Sequence, residues 1–156
     1  MTKFTMAKVT AVAMALLASS TAVAGAASPM PLSSQWRACD FSQLKWVAAV
    51  GDSRIVADVS STGSTVSAHV DAATAPPNSQ YDVRIIQTPR PSNGCAAGDP
   101  GVISGVLQIN DVGLGSVTVQ GPIASGKTGA WVIVERPAAN SQTPAEFYTS
   151  EYIAAI

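Results

Sequence analysis

Residues 53–71 read Ser-Arg-Ile-Val-Ala-Asp-Val-Ser-Ser-Thr-Gly-Ser-Thr-Val-Ser-Ala-His-Val-Asp. Ile55, Ala57 and Val59 alternate with Arg54 and Asp58, and after Thr62-Gly63 the residues Val66, Ala68 and Val70 alternate with Thr65, Ser67, His69 and Asp71. A period of two marks a strand with one buried face, and a Gly-containing break between two such runs marks a hairpin. Strands are therefore predicted over 53–60 and 64–71, with Val66, Ala68 and Val70 turned inward and His69 outward.

Upstream, Leu44, Trp46, Ala48 and Val50 share one parity and Gly51-Asp52 follows. That pattern predicts a first strand over 44–50 and a two-residue turn, and so a three-strand meander. Downstream, Pro76-Pro77 and Asn78 break the chain before 81–88, where Tyr81, Val83 and Ile85 share a face and Ile86 on the other predicts partial burial there too. The stretch 89–101, rich in Pro and Gly, is predicted to be an irregular loop. Runs at 102–109, 115–120, 130–136 and 147–154 complete eight strands, with 110–114 read as a hairpin loop.

Composition agrees, with only 12% charged residues beside 12 Gly and 10 Pro, and no run is helical in period over three turns. The expected fold is all-β: an antiparallel immunoglobulin-like β-sandwich of about seven or eight strands, preceded by a signal peptide. It is not expected to be a true immunoglobulin domain, because Cys39 precedes the first strand and no Tyr stands two residues before Cys95.

Lys3 and Lys8 flank the start of an apolar stretch over 9–18, and the small-x-small triplets Ala22-Val23-Ala24 and Ala24-Gly25-Ala26 follow. Residues 1–26 are read as the signal peptide, cleaved after Ala24 or Ala26, and 27–156 as one domain. The apolar run is shorter than the roughly 20 residues that span a bilayer, so no stable membrane insertion is expected after cleavage. Losing two lysines takes the formal charge from −1 to −3. The remaining bases, Arg37, Lys45, Arg54, Arg84, Arg90, Lys127 and Arg136, form no run, so nucleic acid is not expected as a partner. Cys39 and Cys95, the only two cysteines, are expected to form a disulfide in an exported chain. With His69 the only histidine, neither a metal site nor another cofactor is expected.

Residues 121–128, Gly-Pro-Ile-Ala-Ser-Gly-Lys-Thr, satisfy the phosphate-loop pattern. The physics argues against it. Such a loop must open a helix whose free N–H groups face the phosphates, whereas Gly129-Ala130-Trp131-Val132-Ile133-Val134 is strand chemistry. His69 lies between Ser67 and Asp71 on one outward face, but same-face neighbours on a strand lack a nucleophile elbow and an oxyanion hole. Paired carboxylates would serve a glycosidase at the right separation, yet Asp52, Asp99 and Asp111 fall in predicted turns, where Asp bonds nearby backbone. No catalytic residue is assigned. Trp36, Trp46 and Trp131 are expected as core fillers; an exposed one would point instead to a sugar platform.

The segments Tyr81-Asp82-Val83-Arg84-Ile85-Ile86-Gln87, then Cys95, then Leu107-Gln108-Ile109-Asn110-Asp111-Val112-Gly113-Leu114-Gly115-Ser116, and the ending Phe147-Tyr148-Thr149-Ser150 resemble the uncharacterised small secreted β-sandwich proteins of mycobacteria and related actinobacteria. The resemblance spans roughly Cys39 to the C-terminus, implies export to the envelope or medium, and supplies no catalytic residues. The expected function is an exported, non-enzymatic binding or cell-envelope-associated module, its partner an envelope component or a protein. The alternative is a secreted hydrolase using carboxylates or His69. A deep polar cleft gathering several acids, or His69 within hydrogen-bond reach of both an acid and a Ser, would favour the hydrolase, and a flat surface carrying an exposed aromatic patch would favour binding.

Overall fold

β2 (Arg54–Ser61) and β3 (Thr65–Ala73) form the predicted hairpin, in a register that sets Ala57 opposite Val70 and Asp58 opposite His69. Gly63 makes the turn at φ +81°, a conformation that glycine adopts without a Cβ clash. Val66, Ala68 and Val70 are fully buried as the alternation predicts, and Ile55 and Ala57 join them. The computed structural model describes residues 29–156, so the expected signal peptide at 1–26 lies outside the described residues.

The meander exists, but with a different first strand. β1 (Pro29–Ser33) pairs antiparallel with β2, Pro29 opposite Asp58 and Leu32 opposite Ile55. Residues 44–50 form no strand, and Trp46 and Val50 are exposed. The edge of β2 accepts one partner, and β1 fills it with Met30 and Leu32 buried between outward prolines. β1 meets its other neighbour only at Leu32 and Ser33, so Pro29 and Pro31 lie on a free edge where a missing N–H breaks no ladder.

β4 (Gln80–Thr88), β5 (Val102–Gln108), β6 (Gly115–Pro122), β7 (Gly129–Arg136) and β8 (Glu146–Ser150) complete the main path, and β9 (Ala154–Ala155) is a short addition beside β7. The pairing order is β5-β4-β7-β8-β1-β2-β3-β6, antiparallel throughout. The sheet is nearly closed. Its end strands β5 and β6 pack together without pairing, which Gly105 and Gly121 permit: a Cβ at either would run into Val119 or Ile103 respectively. Residues 110–114 therefore do not join a hairpin, as expected from sequence, but cross from one end of the path to the other. Asn110 shapes that crossing, its Oδ1 accepting the N–H groups of Val112 and Leu114.

Side chains from β2, β3, β4, β5, β7 and β8 share one interior, with Ile55, Val70, Tyr81, Val83, Leu107, Val132 and Tyr148 among its buried members. Each aliphatic side chain so buried contributes about 1.5 to 3 kcal/mol before conformational entropy is counted. The predicted last strand, 147–154, is split. The Ser150 hydroxyl accepts the Val132 N–H at 2.8 Å and donates to the Val132 carbonyl at 3.2 Å, so a side chain satisfies groups that a continuing strand would have paired. The chain bends outward at 151–153 and pairs again only at Ala154. Among the described residues there is no helix, and so none long and apolar enough to cross a membrane.

Cys39 and Cys95 are bonded, their Cα atoms 5.6 Å apart. The bridge ties the segment between β1 and β2 to the loop between β4 and β5, outside the strands. It differs there from the strand-to-strand bridge of an immunoglobulin domain.

Candidate functional site

β3 carries His69 on its outward face, and β6 places two hydroxyls beside the ring. Thr118 Oγ1 lies 2.8 Å from Nδ1 and Ser116 Oγ 3.3 Å from Nε2, while Asp71 Oδ1 lies 3.4 Å from the same Nε2. The hydroxyls come from the neighbouring strand, since the β3–β6 register sets His69 opposite Thr118 and Asp71 opposite Ser116. Ser67, the neighbour on the same strand, belongs to the next row, opposite Gln120. His69 thus reaches both an acid and a Ser.

The arrangement nevertheless differs from a proton relay, in which acid and nucleophile occupy opposite ring nitrogens. Ser116 and Asp71 compete for one. Thr118 holds the other ring nitrogen, across the ring from Asp71, but the row lies open, with the His69 and Asp71 side chains 46% and 51% exposed. The N–H groups of β3 are committed to ladders with β2 and β6, leaving no pair to form an oxyanion hole there. Beside the row runs an open groove of about 520 Å³ lined by Arg54, Val56, Asp71, Leu114 and Ser116. Its walls are mainly apolar, with Arg54, Asp71 and Ser116 as polar points along them.

A second polar set lies in the interior, and the sequence reading missed it. Glu146 opens β8 and is nearly buried. Its Oε2 accepts the hydroxyls of Tyr81 at 2.7 Å, Tyr148 at 2.9 Å and Ser53 at 3.3 Å. Its Oε1 accepts Arg136 Nε at 3.0 Å and Nη2 at 2.6 Å. Burial opposes ionisation of this carboxyl, but the hydrogen bonds from Tyr81, Arg136 and Tyr148 and the Arg136 charge prevail, holding it below its ordinary value. Burial, reinforced by Glu146, pushes Tyr81 up to about 12 despite the opposing Ser53 bond. Glu146, Ser53 and Arg136 face a cleft of about 530 Å³ that Val50, Asp52 and Pro76 also line. A carboxylate with both oxygens engaged and its proton affinity lowered is a poor general base and a strong cross-link. One signal was legible: Glu146 shares the inward parity of Tyr148.

The phosphate-loop match covers the end of β6 and the turn after it, and strand β7 follows where a phosphate loop needs a helix. Lys127 Nζ donates to the Pro89 carbonyl at 2.6 Å, which fixes the 89–101 loop to the turn. Asp99 accepts the Ala96 N–H and so organises its own loop, as a turn Asp does. Trp131 is fully buried and Trp36 packs edge-on against Phe147 at 4.8 Å, but Trp46 is 79% exposed. The expectation that all three fill the core fails at Trp46, because the segment bearing it has no strand to pair with. Among the described residues no group of three or more His, Cys, Asp or Glu is placed to hold a metal ion. No family model, no curated protein and no solved structure matches the chain.

Proposed function

We propose that the chain is an exported, non-enzymatic binding module of the cell envelope, an immunoglobulin-like sandwich whose signal peptide is removed on export. Trp46 carries this reading. An indole left 79% in solvent is a large amphipathic contact surface held ready at little entropic cost, the kind of side chain that anchors interfaces. The Cys39–Cys95 bridge is consistent with an extracellular location. The sandwich reading rests on the β8–β1 junction, where two residue pairs join β5-β4-β7-β8 to β1-β2-β3-β6 around one core. The partner class is an envelope component or an envelope protein.

The test is retention of the purified mature chain on envelope fractions. Trp46→Ala is expected to lower retention at least tenfold with the fold intact, and equal retention of both proteins overturns the reading. Mass spectrometry of the exported protein is expected to find an N-terminus at or near Gly25 or Ala27; intact Met1 in a membrane fraction overturns export.

One observation favours a second reading, a secreted hydrolase: His69 lies within reach of Asp71, Ser116 and Thr118. Hydrolysis of ester or glycoside substrates by the mature chain, abolished by His69→Ala, would replace the binding reading with this one.

A further inference from the structure

Ile86, Trp131 and Ile133 sit on the outer face of β4 and β7, away from the main interior, yet they are 1%, 0% and 3% exposed. Two segments without strand pairing to that face cover them. Phe41, from the segment after β1, packs edge-on against Trp131 at 5.6 Å, and Cys95, from the 89–101 loop, lies against the same cluster. We propose that these two segments form a redox-latched cover, closed by Cys39–Cys95 and opened by reduction, whose opening exposes Trp131, Ile86 and Ile133 to solvent.

The cover has a structure of its own. Arg37 and Gln43 form an isolated antiparallel bridge, and Arg37 stacks over the Phe41 ring at 4.0 Å while its Nη1 donates to the Phe41 carbonyl. The 37–43 turn is thus able to move as a unit. Beside the bridge, the parts nearest it are tied by Cys39 N–H to the Ser92 carbonyl at 3.1 Å, Arg37 Nε to the Ser150 carbonyl at 3.1 Å and Arg84 Nη1 to the Cys95 carbonyl at 2.7 Å, while Lys127 Nζ to the Pro89 carbonyl and Gln87 N–H to the Gly101 carbonyl hold only the two ends of the partner loop.

The closed state also carries two internal penalties. Phe41 is held at φ +75°, in the left-handed region that a bulky side chain disfavours. The Trp131 indole N–H is buried with no acceptor. Such features persist only where their surroundings over-determine them, and the covalent bond supplies that constraint here. Once it is cut, both penalties favour opening, and the freed indole N–H becomes available to an acceptor on water or a ligand. The main core lies on the opposite faces of β4 and β7 and does not depend on the cover.

The step balances with a dithiol as reductant. One of its thiolates attacks a sulfur of the bridge, the second resolves the mixed disulfide, and two electrons and two protons convert Cys39–Cys95 to two thiols while the dithiol becomes a disulfide.

Hydrogen exchange of the full exported chain, before and after dithiothreitol, tests the latch. Amides of 37–43 and 92–97 are expected to exchange at least tenfold faster after reduction while those of β4 and β7 keep their protection. In a Trp46→Phe background acrylamide quenching and binding of the apolar dye anilinonaphthalene sulfonate are expected to rise together, and reoxidation to reverse both. Phe41→Ala, with the bridge intact, is expected to raise quenching without reductant. Unchanged exchange over 37–43 after reduction overturns the latch, and so does loss of protection in β4 and β7 together with the cover, which would make it part of the core.

Discussion

The Tyr81 hydroxyl donates to Glu146 Oε2 at 2.7 Å, tying β4 to β8 through the interior although β7 stands between them in the sheet. Tyr148, Ser53 and Arg136 complete the same carboxylate's set of donors. Glu146→Ala leaves two buried hydroxyls and a guanidinium without their acceptor, and is expected to lower stability by about 3 kcal/mol. Tyr81→Phe removes one bond to a charged acceptor and is expected to cost about 1.5 kcal/mol. Urea denaturation measures both, and a Glu146→Ala loss no larger than that of Tyr81→Phe would contradict the shared role of the carboxylate.

Stability should depend on pH at both ends of the scale, with opposite proton traffic. Glu146 has a lowered folded-state value, so its contribution is present above the ordinary 4.5 and is lost as pH falls through the depressed one. Tyr81 is raised to about 12 from 10, so the folded state binds more protons in that interval and stability falls as pH rises through it. Denaturation midpoints are expected to decline on acidification below about 4.5 and again above about 10. Glu146→Gln should flatten part of the acid limb, and Tyr81→Phe part of the alkaline one.

Gly51 lies at φ +115°, where a Cβ would overlap the Tyr148 hydroxyl that accepts the Ser53 N–H. Gly51→Ala combines backbone strain with overpacking and is expected to cost about 2 to 4 kcal/mol. Gly63→Ala provides the contrast, because at φ +81° its Cβ would meet nothing within 4 Å. It should cost only the conformational part, about 1 kcal/mol. Similar losses for the two in thermal melts would mean that the Tyr148 contact contributes nothing.

Replacing both cysteines by Ser should lower stability by about 2 to 4 kcal/mol, since the bridge closes a separation of 56 residues. The far-ultraviolet signature of the strands should survive. Free-thiol titration of the unreduced wild-type chain is expected to find no reactive thiols; two per monomer would remove the premise.

Much of the strand pattern was legible in local sequence. β2 to β7 follow from alternation and from turn residues, because the side-chain period of two and the left-handed φ at Gly63 are properties of a few adjacent residues. His69 faces outward for the same reason. Ile86, read as partly buried on the opposite face, is fully buried because the disulfide-linked segments lie over it, a cover that alternation alone does not specify.

Competition between distant segments was decided only in the folded chain. Residues 44–50 have the alternation of a strand, but alternation states that a segment is able to pair, not that an edge is free, and Met30 and Leu32 of β1 occupy the edge of β2. Asn110 to Leu114 looked like a hairpin loop because turn chemistry is local, whereas β5 and β6 pair with β4 and β3. Glu146 gathers Ser53, Tyr81, Arg136 and Tyr148 from four separated stretches, a constellation that no short window contains. The amino-acid sequence by itself determined which stretches are able to form strands and which way their side chains alternate, since those follow from contacts between neighbours in the chain. The tertiary structure decided which strand wins each edge, which acid is buried and which Trp stays in solvent, because those outcomes depend on what the rest of the chain leaves unpaired.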